Sequence, residues 1–253
     1  MRAYARVVAE ADGRGGTRAP VLRSESPLLL RRTGSSAPPS LTVHLVSGAA
    51  GPLGGDDLRL DIDVGPGAWL DVRSVAASLA LPGPPGGPPS RIRVRATVAD
   101  GATLRWMPEP LIAAAGCHHT TSTEVRVAAG ATLVWRDELA CGRHGEDPGD
   151  ARTDITVQHD GATLYRHELA VGPAAPGWCG PAVLGGGRAV GSAVAIGADP
   201  PPTGTAGSDA AIMRLAGPGY VAMAVGPDNR RVRAVLDPFC AVHPGHRPSI
   251  MEL

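Results

Sequence analysis

Apolar and polar residues alternate with a period of two along much of the chain. Residues 58–64 read Leu-Arg-Leu-Asp-Ile-Asp-Val without a break, and residues 92–98 follow nearly the same pattern. Successive side chains of a β-strand point to opposite faces, so this period predicts strands with one buried face and one solvated face. Segments rich in Gly, Pro or polar residues predict the loops, at residues 34–40, 81–90, 142–150 and 198–208.

A short motif, Gly-Ala-x-Leu, opens a strand-like segment four times. The copies begin at Gly67, Gly101, Gly130 and Gly161, so that successive glycines are 34, 29 and 31 residues apart. Two copies are preceded by Asp, and Asp-Gly favours a tight hairpin because both residues tolerate positive φ. A period near 30 residues is typical of stacked units that share one core. We therefore predict an all-β fold, a helically wound, solenoid-like stack of β-hairpins that forms a single domain over residues 1–253.

The copies also agree downstream of the motif. Trp106 and Trp135 each lie two residues after the motif leucine, and Glu109 and Glu138 each lie eight residues after the motif glycine. If the units stack, the aligned carboxylates lie along one side of the stack or in its interior. Burial of acids requires pairing or water, so an interior row needs a water-filled passage. Exposure of these acids to solvent is the alternative.

Two short helices are expected in the C-terminal third of the chain. Ser208 or Asp209 is a candidate cap for a helix that runs to Leu215. Asp228 is a candidate cap for a second helix, in which apolar residues follow at the spacing i, i+3, i+4, i+7. The apolar residues of this second helix are Val232, Val235, Leu236 and Phe239.

Composition narrows the class of protein. The 24 basic residues are all Arg and balance 24 acidic residues, so the net charge is zero, and this argues against a nucleic-acid partner. The four cysteines are far apart and are expected to be free thiols in a reducing compartment. No stretch approaches the roughly 20 apolar residues of a membrane span, and the N-terminus has no signal-peptide pattern. We expect a cytoplasmic protein that binds no membrane.

Recognisable catalytic motifs are absent, which predicts a protein that is not an enzyme. The sequence has no Gly-x-Ser-x-Gly elbow, and a P-loop is impossible without lysine. Cys117, His118 and His119 place three metal donors side by side. On a strand, Cys117 and His119 share a face and His118 points away, so the triplet suits transient binding of nickel or copper rather than a closed site. Buried and solvated side chains without metal are the simpler interpretation.

Three segments in order resemble the UreD (UreH) family of urease accessory proteins. The first is Gly-Gly-Asp-Asp-Leu at residues 54–58, with its alternating strand and the Gly-Ala-Trp-Leu that follows. The second is Leu-Arg-Trp-Met-Pro-Glu-Pro-Leu-Ile at residues 104–112. The third is Asp-Glu-Leu-Ala-Cys-Gly-Arg-His-Gly-Glu at residues 137–146. The family's Thr-Lys-x-Tyr-Arg segment is missing, since residues 74–80 run into a Pro- and Gly-rich loop instead.

The resemblance implies a urease maturation factor that acts as a scaffold and delivers nickel. It implies binding to UreF, through UreF to the GTPase UreG, and to the urease apoprotein, with a dimer of heteromeric units in the complex. It implies transient Ni²⁺ in an internal tunnel, with no tightly bound cofactor. The candidate residues of the nickel path are Asp56, Asp57, Asp137, Glu138, Arg143 and Glu146, to which the repeat adds Glu109.

Two other classes of protein remain open on the sequence alone. A small metal-dependent β enzyme of the cupin type requires two His and a carboxylate on one face, and the adjacency of His118 and His119 counts against it. A β-solenoid binding module for a surface partner is the second alternative. Neighbouring urease structural genes would favour the urease maturation factor over both of these alternatives.

Overall fold

A computed structural model describes residues 1–34, 39–198 and 209–240. Strands dominate these residues, and the predicted β class with a solenoid-like stack is confirmed. The strands are β1 (Arg2–Ala11), β2 (Thr17–Arg23), β3 (Leu28–Arg32), β4 (Ser40–Ser47), β5 (Asp57–Val64), β6 (Trp69–Ser74), β7 (Ser78–Ala80), β8 (Ser90–Val98), β9 (Thr103–Met107), β10 (Leu111–Ala113), β11 (His118–Val127), β12 (Thr132–Ala140), β13 (Asp150–His159), β14 (Ala162–Val171), β15 (Ala189–Ile196), β16 (Ala210–Arg214) and β17 (Tyr220–Gly226). Helix α1 (Asn229–Leu236) follows, and a 3-10 helix (Asp237–Cys240) continues it.

The strands form two sheets. The first sheet has seven strands in the order β14, β13, β11, β8, β5, β1, β2, and its five inner strands, β13 to β1, run parallel. The second sheet has ten strands, eight of them in the order β16, β17, β15, β12, β9, β6, β4, β3. Its central strands β12, β9, β6 and β4 are also parallel to one another. The short strands β7 and β10 extend it beside β12.

The repeat unit is an arch rather than a hairpin in three of its four copies. The turns at Gly67, Gly101 and Gly130 lead from a strand of the first sheet into a strand of the second, and the strands of these three units pair in parallel within each sheet. A hairpin is found only for the fourth copy, where Asp160 and Gly161 both have positive φ and join the antiparallel pair β13 and β14.

The arch turns stack on one another through their backbones. In each turn the motif alanine donates its N–H to the carbonyl three residues earlier, at 3.0 to 3.1 Å. Asp100 links two successive turns, since its Oδ1 accepts the N–H of Gly130 at 2.9 Å. Repetition of one turn geometry therefore keeps the units in register, as a stacked repeat requires.

The C-terminal helix prediction is confirmed at Asp228, whose side chain accepts the N–H of Arg231 at 2.8 Å and caps helix α1. The other predicted helix is wrong. The segment from Asp209 to Leu215 contains strand β16, which pairs with β17 across a Gly-Pro-Gly turn, and Ser208 lies outside the described residues. An isolated helix of this length has only marginal stability. As a strand paired with β17, the segment instead satisfies its backbone N–H and C=O groups.

The main core lies between the two sheets and is aliphatic. Inward-facing Leu, Val, Ile and Ala residues of both sheets are almost fully buried, together with Trp106 and Trp135. A second cluster on the outer face of the second sheet includes Val232 and Leu236 of helix α1. All four cysteines are free, as the sequence predicts, and Cys179 is the exposed one.

Candidate functional site

A cavity of about 150 Å³ lies between the two sheets and crosses several strands of each. From the first sheet it is lined by side chains of β5, β8, β11, β13 and β14, and from the second by side chains of β4, β6, β9, β12, β15 and β17. Most of the lining is apolar, and the polar groups in it are few. Those in the interior include Asp137, His167, Thr123 and Ser192.

The second sheet has a window beside β12. Strand β9 ends at Met107 and pairs with β12 up to Trp135, whereas β10 begins at Leu111 and pairs with Leu139. Within residues 39–198, strand β12 therefore lacks a ladder partner on this side between Trp135 and Leu139. The neighbouring break between β6 and β7 falls at the same level of the sheet, since Arg73 pairs with Met107 and Ser78 pairs with Leu111.

The cavity reaches this window. Its lining includes Ser74, Ser78, Pro108, Glu109 and Glu138, which flank the two strand breaks and the unpaired part of β12. Asp137 points inward from β12, and Glu138, as the next residue of a strand, points outward. Both acids nevertheless border the cavity, because the second sheet is open beside this part of β12.

Asp137 is the acid of β12 that points into the cavity. Trp106 donates its indole N–H to Oδ1 of Asp137 at 3.0 Å, and Trp135 donates to Oδ2 at 2.6 Å. The two indole rings, which have the same offset in successive repeat units, stack with centroids 4.8 Å apart. Burial raises the pKa of Asp137, although both indole N–H groups and Arg136 act in the opposite direction. A cation or water that enters the cavity therefore favours the ionised form of this carboxyl.

Two interior groups that the sequence reasoning missed lie on β14. Burial raises the pKa of Tyr165 to about 12, and the nearby charge of Asp137 adds to this shift. The Tyr165 hydroxyl is buried without a hydrogen-bond partner. Burial also lowers the pKa of His167, which lines the cavity and stacks against Tyr165. Both lie on the inner face of a strand with period two, and that period was the available signal.

Glu138 lies in a charged cluster on the outer face of the second sheet. Its side chain is fully buried, and its Oε1 is 3.0 Å from Nε of Arg136. Arg136 in turn donates to Asp237 of the 3-10 helix at 2.6 Å. Asn229, at the start of α1, donates to Oε2 of Glu138 at 3.4 Å. Helix α1 and the 3-10 helix therefore enclose this carboxylate, which accounts for the tolerance of a buried charge.

Arg233 joins the two acids that the repeat aligns. Its Nε and Nη2 donate to Glu138 at 3.2 Å, and its Nη1 donates to the two carboxylate oxygens of Glu109 at 3.2 and 3.0 Å. Glu109 is held on the other side by its own backbone, since its N–H donates to Oγ of Ser74 at 2.8 Å. The guanidinium of Arg233 therefore spans the window from β12 to the segment between β9 and β10.

Gly191 determines how closely α1 lies on the second sheet. It is the pairing partner of Glu138 on β15. A Cβ at this position would come within 2.7 Å of Cγ1 of Val232 and 2.8 Å of Cδ1 of Leu236. A residue with no side chain is therefore required for α1 to place Arg233 over the window.

Asp56 and Asp57 lie apart from the interior of the cavity. The Asp56 carboxylate contacts the amino group of Met1 and accepts the N–H of Leu53 at 2.9 Å. It lies next to Gly51, which does line the cavity. Asp57 pairs with Arg93 at 2.5 Å on the solvent face of the first sheet. A role for either acid in the nickel path stays a prediction.

Arg143 and Glu146 pair with each other in the loop after β12. Nη2 of Arg143 is 2.6 Å from Oε1 of Glu146, and this pairing lowers the pKa of Glu146 to about 2. The loop is tied to β15 because Arg188 donates to the carbonyl of Glu146. These two residues therefore stabilise a surface loop, and their part in nickel transfer stays a prediction.

The Cys-His-His triplet divides between the two faces as the strand period predicts. His118 is exposed and lies 3.4 Å from Asp150. Burial lowers the pKa of His119 to about 4, and its ring nitrogens contact Ser90 and Thr121 at 2.8 and 3.0 Å. Burial raises the pKa of Cys117 to about 11. Both inward-facing donors are therefore in their neutral forms near pH 7.

Among the residues that the structure describes, no three His, Cys, Asp or Glu side chains form a group that could hold a metal ion. The facial donor set that a cupin-type enzyme requires is therefore not found in residues 1–34, 39–198 and 209–240. No helix in these same ranges is long and apolar enough to cross a membrane.

Comparison with known proteins gives a consistent result. The profile of the UreD urease accessory protein family matches residues 1–252. Urease accessory protein UreD of Streptomyces coelicolor is 47% identical, with 94% of this chain and 94% of that protein aligned. Urease accessory protein UreD 3 of Streptomyces griseus is 46% identical over 94% of this chain and 95% of its own length. Urease accessory protein UreD of a Parafrankia strain is 43% identical over 97% of this chain and 90% of its own length. The chain therefore belongs to the UreD family of urease accessory proteins, and its role lies in urease maturation.

Proposed function

We propose that this protein is a scaffold and nickel-delivery chaperone that helps to load Ni²⁺ into the active site of urease. It carries out no chemical transformation itself. It acts in the cytoplasm within a complex that contains UreF, the GTPase UreG bound through UreF, and the urease apoprotein. Resemblance to the family supports this choice of partners, and the structure contributes a candidate route for the ion.

The cavity between the sheets is the observation that supports delivery. It lies between the two sheets, and the carboxylate of Asp137 projects into it from β12 in a mostly apolar wall. A continuous ladder of strands would bury the core without such a space. Within the described residues no three His, Cys, Asp or Glu side chains converge on a metal site. Such an interior is suited to passage rather than storage, because storage requires several converging donors.

The contacts that hold Asp137 are suited to weak binding and release of Ni²⁺. Its two oxygens accept indole N–H groups, so the carboxylate keeps its orientation without a cation nearby. A hydrated Ni²⁺ that approaches favours the ionised carboxyl by its charge. One oxygen ligand and retained water bind the ion weakly, which permits its release toward the apoprotein. The protein therefore needs no tightly bound metal of its own.

The first experiment removes the charge of Asp137. Asp137→Asn keeps the shape of the side chain but replaces one acceptor of the indole N–H groups by an amide donor. We expect UreF and the urease apoprotein to copurify normally while the nickel content and activity of urease fall strongly. The measurement is nickel per urease active site in cells that lack the native UreD-family gene, at limiting nickel.

Asp63→Asn is the matched control, because this acid pairs with Arg6 on the solvent face of the first sheet and is not a candidate of the nickel path. It is expected to leave nickel content unchanged. Full nickel loading by Asp137→Asn would contradict delivery through the cavity. Loss of copurification by Asp137→Asn would show instead that this residue acts on assembly.

A further inference from the structure

The window in the second sheet is spanned by one side chain from a distant element. Arg233 of helix α1 contacts Glu138 on one border of the window and Glu109 on the other. These acids belong to successive repeat units, and Arg233 is 95 residues beyond Glu138 in the chain. The closure is therefore a tertiary contact, separate from the hydrogen-bond ladders that hold the sheets together.

The three groups differ in how firmly they are held. Glu138 is fully buried and has a second partner in Arg136, at 3.0 Å. Glu109 is 37% exposed, and Arg233 is 28% exposed. Glu109 follows a proline and precedes another in the segment between β9 and β10. The bond between Arg233 and Glu109 is therefore the weaker half of the closure, because exposed ion pairs contribute little stability.

Helix α1 lies on the outer face of the second sheet and takes part in none of its strand ladders. It has eight residues, too few for an independently stable helix, so its position depends on Val232 and Leu236 packing against β15 and β17. Withdrawal of α1 removes Arg233 from the window and leaves every strand ladder intact. A small shift of one short element therefore changes access to the cavity.

Charge gives the closure a second effect. Around the window the carboxylates of Glu109, Glu138 and Asp237 face the guanidiniums of Arg136 and Arg233, which leaves one negative charge in excess. Without Arg233 the excess doubles, because Glu109 loses its guanidinium partner while Glu138 keeps only Arg136, and both carboxylates border the opening. Hard oxygen donors with retained water are suited to a hydrated divalent cation.

We propose that Arg233 is a latch on the window. In the closed state its guanidinium bridges Glu109 and Glu138 across the window, and withdrawal of α1 opens the cavity beside these two carboxylates. The passage of nickel through the window rests on the proposed function, whereas the opening and closing of the window does not. Arg233 is a positioning residue, because it controls access to the cavity through its contacts with Glu109 and Glu138.

The test uses Trp106 and Trp135, which report on access to the cavity. Trp69→Phe and Trp178→Phe remove the other two tryptophans of the chain. In this background we expect Arg233→Gln to raise the acrylamide quenching constant of the interior tryptophans several-fold. Arg230→Gln, an equal loss of charge on an exposed residue of the same helix, is expected to leave it unchanged. Circular dichroism checks that each variant is folded.

Glu109→Gln is the second variant, because it breaks the exposed half of the latch and leaves Glu138 paired. It is expected to raise the quenching constant by a smaller factor, and it decides the outcome if Arg233→Gln does not fold. Folded variants that quench like the background overturn the latch. A parallel titration uses Ni²⁺ as the quencher and separates the two proposals. A quenching constant that rises for acrylamide but not for Ni²⁺ supports the latch and counts against nickel as the ion that passes the window.

Discussion

Single residues of β12 show how one strand position separates two environments. Asp137 points into the cavity and is held by two indole N–H groups, whereas Glu138 points outward into a cluster of guanidiniums. The repeat offsets in the sequence predict that Glu138 and Glu109 occupy equivalent positions in successive units. They do not predict Arg233, because no local pattern connects a helix residue with an acid 95 positions earlier.

Glu138 is predicted to matter for stability because its pairing is buried. Glu138→Gln removes one charge from a fully buried pair and leaves Arg136 with Asp237 alone. We expect a loss of about 3 kcal/mol in the free energy of unfolding, since breaking a buried ion pair leaves an uncompensated charge. Urea denaturation followed by circular dichroism measures this loss.

Asp57→Asn is the comparison at an exposed pair on the first sheet. Exposed ion pairs contribute about 0–1 kcal/mol, so the midpoint of unfolding is expected to move little. Equal losses for Glu138→Gln and Asp57→Asn would show that the charged cluster under α1 is solvated rather than buried.

At the scale of elements, the repeat was predictable and its pairing was not. Period-two alternation in residues 58–64 and the four Gly-Ala-x-Leu copies predict strands that stack at a period near 30 residues. Asp-Gly permits either a hairpin or an arch, and the choice depends on pairing with a strand of the next unit. Asp100 shows this, because its carboxylate contacts Gly130 of the following turn. The missed strand β16 has the same cause, since its partner β17 supplies its hydrogen bonds.

The close packing of α1 against β15 at Gly191 gives a prediction for the position of the helix. Gly191→Ala places a Cβ within 2.7 Å of Val232 and 2.8 Å of Leu236, so α1 must shift outward. Overpacking of this kind costs about 1–3 kcal/mol, and we expect a matching fall in the free energy of unfolding. Hydrogen exchange of the α1 amides is also expected to accelerate, because the helix loses its close packing.

Gly65→Ala is the control for this change. Its added Cβ would meet the carbonyl oxygen of Ala9 at 3.3 Å, far from α1, and it leaves the exchange of the α1 amides unchanged. Unaltered exchange in Gly191→Ala as well would contradict the view that Gly191 sets the position of the helix.

At the scale of the whole molecule, two sheets wound from one repeat enclose a space that ordinary packing would fill. Interiors of proteins are close-packed, with few voids larger than a water molecule. A cavity of about 150 Å³ that reaches a break in the second sheet is therefore a feature that the fold maintains. Family resemblance predicts a tunnel, but its walls, its window and the part of β14 in it required the structure. The central claim is that this space is the route by which nickel passes.

Filling the cavity tests that claim most directly. Thr123 lies on the inner face of β11, is 3% exposed and lines the cavity, whereas Thr120 lies on the outer face of the same strand. Thr123→Phe and Thr120→Phe therefore add the same group inside and outside the stack. The measurement is nickel per urease active site after assembly with each variant, with copurification of the urease apoprotein as the check on assembly. We predict that Thr123→Phe lowers nickel to the level found without the protein and that Thr120→Phe does not. Full nickel loading with the cavity filled would contradict passage through it.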